Sequence, residues 1–193
     1  MRYVLAIAAL IAGVTVGEEL PKDTIEKKTL QVEQAEPLTH PEDVLYLDNR
    51  LTTLSDDAAK ALARHDGQLQ LNGLTTLSDN AAKALARYEG MLRLNGLTKL
   101  TCVELATKLA DQEGDLVLNG LTMLSNSAAK SLAKAEGREV LNGLAKLTCV
   151  ELATKLTRQE NDLHLNSLTT LSDDAANALR AKPHIRLPDQ FRQ

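Results

Sequence analysis

Cys102 and Cys149 are the only two thiols in the chain, and both stand in the context Thr-Cys-Val-Glu, 47 residues apart. In an exported protein such a pair would invite a disulfide. Equivalent positions two repeats apart are separated by about 10 Å of rung spacing, whereas a disulfide needs Cα atoms within about 7 Å. The expectation is therefore two small, semi-buried residues in the first turns of helices. No Cys-x-x-Cys is present, which removes the usual redox and zinc-knuckle motifs. The histidines, His40, His65, His164 and His184, form neither an H-x-x-x-H pair nor a Cys/His cluster, so a metal site has no support in sequence. His65 falls at a helix C-terminus, where partial positive charge suits the dipole. His164 and His184 are candidates to be neighbours on a sheet face.

Amide and carboxylate chemistry fares no better. Asn72, Asn95, Asn119, Asn142 and Asn166 recur once per repeat. A catalytic residue is singular and a structural one recurs, so these asparagines are expected to satisfy backbone groups at turns. Asp56-Asp57 and Asp173-Asp174 sit where helices begin and are read as helix-start charges, not as a carboxylate dyad. There is no glycine-rich phosphate loop and no nucleophile elbow. No enzyme, no metal and no cofactor are expected. What remains is one variable position: the residue between the two leucines of a recurring Leu-x-Leu. It reads Tyr46, Gln70, Arg93, Val117, Val140, His164 and Arg186 along the chain, and it is the candidate ligand-binding surface.

The elements that would position this column are repeats. The second leucine of each Leu-x-Leu falls at Leu47, Leu71, Leu94, Leu118, Leu141 and Leu165, at spacings of 24, 23, 24, 23 and 24 residues. A degenerate copy follows at Ile185-Arg186-Leu187. Residues 94–109 match residues 141–156 at 15 of 16 positions, so two subtypes alternate with a period of 47. Leu-x-Leu predicts a very short strand with both leucines on one face. Asn-Gly predicts a turn, with glycine free to take positive φ. Two more leucines, such as Leu74 and Leu77, point back to the core. A helix then starts at a serine cap such as Ser78, runs on an Ala81, Ala82, Leu85 stripe and ends at Gly90. The second subtype predicts a capping box instead, Thr101 with Glu104 and Thr148 with Glu151, stapled by Leu100 and Leu105. Leu62, Leu85, Leu109, Leu132, Leu156 and Leu179 would anchor the helices in one column. No repeat this short buries its apolar face alone, so the units must stack, giving a parallel sheet on one side.

The pattern L-x-L-x-x-L-x-x-L followed by a short helix resembles the leucine-rich repeat family. Its spacing is most similar to irregular bacterial forms, the BspA-like repeats, and the Leu45 to Leu54 stretch fits best. The family asparagine usually lies three residues after the strand's last leucine, and here it follows immediately. The resemblance implies an α/β solenoid: a leucine-rich repeat stack of about six strand–turn–helix repeats, with a short-stranded parallel sheet on one face. It also implies binding of proteins through that face.

Composition agrees with a repeat core. Aromatic residues make up 2% of the chain while hydrophobic residues reach 44%, so the core must be built from regular leucine and alanine, not from rings. Net charge is −4 with the signs interspersed, which excludes a basic nucleic-acid-binding face. Residues 1–17 read as a signal peptide: Arg2, then 15 uncharged residues, then Thr15 and Gly17 as small residues before Glu18-Glu19. The run is short of the roughly 20 residues that a membrane span needs. The expected organisation is a signal peptide at 1–17, a polar arm and N-terminal cap at 18–43, the repeat domain at 44–187 and a tail at 188–193. The expected function is an exported, monomeric, non-catalytic binding module, periplasmic, cell-surface or secreted. It would hold an unknown protein or glycan partner on the sheet face, with no nucleic acid and no membrane insertion once the signal is removed. The alternative is a structural or assembly protein of the cell envelope or surface, favoured by the near-identical 47-residue units.

Overall fold

The computed structural model describes residues 29–30, 44–46, 51–64, 67–160, 162–180 and 182–192. The expected signal peptide and most of the expected arm lie outside the described residues, as do His40 and His65. In chain order the elements are β1 (Thr29–Leu30), β2 (Val44–Tyr46), β3 (Thr53–Leu54), α1 (Asp56–Leu62), β4 (Gln68–Gln70), α2 (Asp79–Leu85), β5 (Met91–Arg93) and β6 (Lys99–Leu100). There follow α3 (Val103–Ala110), β7 (Leu116–Val117), β8 (Met123–Leu124), α4 (Asn126–Leu132), β9 (Glu139–Val140), β10 (Lys146–Leu147) and α5 (Val150–Leu156). The chain closes with β11 (Leu163–His164), β12 (Thr170–Leu171), α6 (Asp173–Arg180), β13 (Ile185–Arg186) and a 3₁₀ turn at Asp189–Phe191. The protein is thus a mixed α/β chain of repeating short strands and short helices, and every strand pairing is parallel.

Contacts group the chain into two compact units, Met1–Leu94 and Asn95–Gln193. In the first, β2, β4 and β5 form a three-stranded sheet in strict repeat register, with Leu45 beside Leu69 and Leu69 beside Leu92. Helices α1 and α2 pack together through Ala58, Ala59, Ala81 and Ala82. Such small side chains let helix backbones approach closely. In the second unit, β7 pairs with β9 and β11 with β13, while α3 to α6 pack in chain order. The helix-anchoring leucines Leu62, Leu85, Leu109, Leu132, Leu156 and Leu179 are all buried, as their common spacing requires.

Three features depart from the sequence reading. First, the leucines before each helix other than α2 do not lead straight into it. A second strand series lies there, pairing β1 with β3, β6 with β8 and β10 with β12. Threonine hydroxyls reinforce it: Thr75, Thr122 and Thr169 each donate to a carbonyl one repeat earlier, at 3.2, 3.1 and 3.1 Å. Leu77, expected in the core, is only half-buried.

Second, the helix caps separate by subtype. Ser55, Ser78 and Ser125 cap as expected, each accepting from the backbone N–H three residues on. Thr101 does not cap α3. The cap is Cys102, which makes no side-chain capping bond, and Cys149 does the same for α5. This subtype has one residue more between its leucines (Leu100 to Leu109 is 9, Leu77 to Leu85 is 8), which lengthens the approach to the helix, and Glu104 and Glu151 meet the thiols instead of closing a capping box.

Third, the glycines serve close approach more than positive φ. Among the described residues positive φ occurs at Gly67 and Gly114 alone. At Gly143 an added Cβ would lie 2.4 Å from the Asn119 carbonyl oxygen of the preceding repeat. Asn-Gly forms an ordinary turn, closed by Leu144 N–H on Leu141 O at 3.1 Å, and the glycine is needed because stacked turns touch. Gly90, expected as a helix terminator, lies beyond the α2 cap at Ala86. Its missing Cβ would fall 1.8 Å from Gly67 O.

Candidate functional site

Alternation along each Leu-x-Leu strand turns one residue out between two buried ones. Leu69 and Leu71 are buried around a half-buried Gln70, and Leu92 and Leu94 around a half-buried Arg93. In the second unit Val117 and Val140 are partly exposed, and His164 and Arg186 are exposed. Tyr46 is described by its backbone, which pairs with Gln70.

Register resolves the column into three groups. Tyr46, Gln70 and Arg93 stand side by side in the first unit, Val117 stands beside Val140, and His164 beside Arg186. Neighbours in such a row are about 4.8 Å apart, within reach of one ligand. His164 thus has Arg186 opposite it, and His184 lies in the turn just before β13, with its Nε2 buried and unpartnered.

A second outward row, missed in the sequence, runs two residues before the first. Gln68 Nε2 donates to Met91 Sδ at 3.0 Å, and the Arg138 guanidinium pairs with Asp115 at 2.6 Å. The signal was available, since residues i and i+2 of a strand share a face. The asparagine turns border these rows, with Asn119, Asn142 and Asn166 exposed.

The groups with chemistry elsewhere are engaged structurally. Cys102 and Cys149 are free and buried, and each thiol donates to the carboxylate two residues on, at 3.3 Å. Burial pushes both thiols above their ordinary pKa, the opposite of what a nucleophilic cysteine needs. Glu151 is held at about 2, first by its own backbone N–H and then by Lys130 and Cys149. Asp56 accepts from Ser78 and from Asn80 in the following repeat, which lowers its pKa. Among the described residues no group of three or more His, Cys, Asp or Glu is placed to hold a metal ion. No described helix is long and apolar enough to cross a membrane.

One inward residue breaks the apolar pattern. Glu139 takes the position that Leu69, Leu92, Leu116, Leu163 and Ile185 take in the other repeats, and it is 0% exposed. Neither carboxyl oxygen has a partner. Burial pushes its pKa from 4.5 to about 8, against a smaller opposing pull from Lys155. Its backbone is held from one side by β7, and from the other by the Gln159 side chain. With its amide turned so that both backbone groups are satisfied, the Gln159 oxygen accepts from Glu139 N–H at 3.0 Å and its nitrogen donates to Glu139 O at 3.1 Å. A side-chain amide thus takes the place of a neighbouring strand, and β9 and β11 are not paired directly. A scan against protein-family models and a search of curated proteins return no match to the chain.

Proposed function

We propose that this chain is an exported, non-catalytic binding module of leucine-rich repeat type: a solenoid of about six repeats that takes a protein or glycan on its strand face. The observation that carries the reading is the contrast within each strand. Among the described side chains the flanking residues, leucine in all but Glu139 and Ile185, are buried, while the residue between them is outward and changes chemistry from repeat to repeat. A constant scaffold beneath a varied, sterically accessible row is what recognition by many weak contacts uses. Gln70 with Arg93 would offer a polar patch in the first unit, and Val117 with Val140 and His164 with Arg186 an apolar and a basic patch in the second. Export rests on the charged, apolar and small-residue order of residues 1–17.

The test compares three forms of the chain on a glycan array and in pull-downs from the native envelope or secreted fraction. These are wild type, a strand-face variant (Arg93→Glu, Val117→Asp, Val140→Asp), and a helix-face control (Lys83→Glu, Lys134→Glu). A ligand retained by wild type and control but lost by the strand-face variant supports the proposal. A ligand that the strand-face variant still holds places recognition elsewhere. Open-ended growth in light scattering over a concentration series would favour envelope assembly instead.

A further inference from the structure

We infer that Glu139 is a proton-operated catch on the β9 strand: the strand is shut while the carboxyl is neutral, and loss of the proton releases it. The geometry carries this. The side chain is fully buried, both oxygens lack partners, and the strand position beside it is the apolar Leu116 on β7. A carboxylate cannot remain in such a place without a counter-charge.

The charged groups on the surrounding elements leave one candidate. On the β7 side, Asp115 is occupied by Arg138 across the outward face. On α4, Lys130 is paired with Glu151 of α5, and Lys134, just past the end of α4, is exposed. Beside Leu163 on β11, His164 and the preceding Asp162 are exposed. Lys155 of α5 is the charge that acts on Glu139. Its ammonium is already engaged, donating to Gly137 O at 2.9 Å and Glu136 O at 3.4 Å at the entry to β9. An ionised Glu139 must therefore swing toward Lys155 and draw it off those carbonyls, and the turn of the backbone breaks the Gln159 clamp. The pKa of the closed state, about 8 against an ordinary 4.5, sets the window. Closure is fully supported below about 4.5 and loses that support as pH rises through about 8.

Amide hydrogen exchange on the full chain from pH 5 to 9, corrected for intrinsic rate, tests this. The amides of Glu139 to Leu141 are compared with those of residues 92–94 as internal reference. Their opening equilibrium should rise roughly tenfold per pH unit between about 5 and 8 and then level off. Glu139→Gln and Glu139→Leu should both abolish the slope, so the result survives if one of them folds poorly. Lys155→Met should keep the slope and extend it to higher pH. A flat wild-type profile, a slope shared by the Glu139 variants, or a Glu139 carboxyl resonance titrating near 4.5 would each overturn the inference.

Discussion

The β5 and β9 repeats are the same sequence position, 47 residues apart, solved in two ways. In the first unit Leu92 fills the inward site, Met91 accepts from Gln68 above it, and β5 completes a sheet with β4 and β2. In the second, Glu139 fills that site, Arg138 pairs with Asp115, and β9 has one partner strand and a glutamine clamp. The entry turns differ too. Tyr88 is buried and its hydroxyl donates to Gly67 O at 2.9 Å, whereas the equivalent Ala135 has no hydroxyl to offer, and Lys155 donates to Gly137 O at the entry to β9. Both repeats share their glycines: Gly90 and Gly137 each approach the carbonyl of a preceding glycine so closely that a Cβ would sit 1.8 Å from it. Backbone stacking is therefore the invariant of this fold. The inward side chain is more negotiable than the glycine beside it, provided a carboxyl stays neutral.

The comparison can be broken most severely by exchanging the inward residues. Leu92→Glu should cost about 3–5 kcal/mol at neutral pH, combining lost leucine burial with a carboxyl that must be buried neutral. Urea titration should show the cost shrinking as pH falls from neutral toward about 4.5 and levelling below that, where the unfolded-state carboxyl binds its proton too. An unchanged midpoint would mean that the β5 repeat tolerates charge. Next come the shared glycines. Gly90→Ala and Gly137→Ala should each cost about 3 kcal/mol or more through overlap with a carbonyl. Gly114→Ala, at φ +86 with open space around it, should cost about 1–3 kcal/mol from strain alone. Equal losses at Gly114 and Gly137 would remove close approach as the reason for the glycine.

The reverse exchange, Glu139→Leu, should stabilise by about 2 kcal/mol at neutral pH and flatten the pH dependence between about 5 and 8. Tyr88→Phe is milder, at about 0.5–1 kcal/mol, because Gly67 O keeps its bond from Met91 N–H at 3.1 Å. Smallest of all is Lys130→Met, which removes an exposed pair with Glu151 at 3.0 Å. It should leave the urea midpoint nearly unchanged at pH 7. Its one clear mark should be a rise in the Glu151 titration from about 2 toward the ordinary value, read by carboxyl NMR.

Much of the architecture was legible in the chain because leucine spacing and strand alternation are local and periodic. The helix column, the serine caps of the first subtype and the outward residue of each Leu-x-Leu all follow from residues within one repeat. The inward place of Glu139 was legible too, since it stands in a column otherwise made of Leu and Ile. The capping box at Thr101 and positive φ at the Asn-Gly turns were plausible motifs that the structure does not use. Each of those motifs is judged within a single repeat, whereas the observed choices depend on what the neighbouring repeat presents.

That division has a physical reason. Sequence by itself determined which residues turn inward, because side-chain direction is set by the two-residue period of a strand and the 3.6-residue turn of a helix. It determined as well that no unit could stand alone. Tertiary structure alone decided the second strand series, the cysteine caps, the glutamine that stands in for a strand beside Glu139, and the reason each turn needs glycine. These depend on distances between atoms about 24 residues apart, and on whether a buried polar group finds a partner there. No local pattern encodes such a distance until the repeats are stacked.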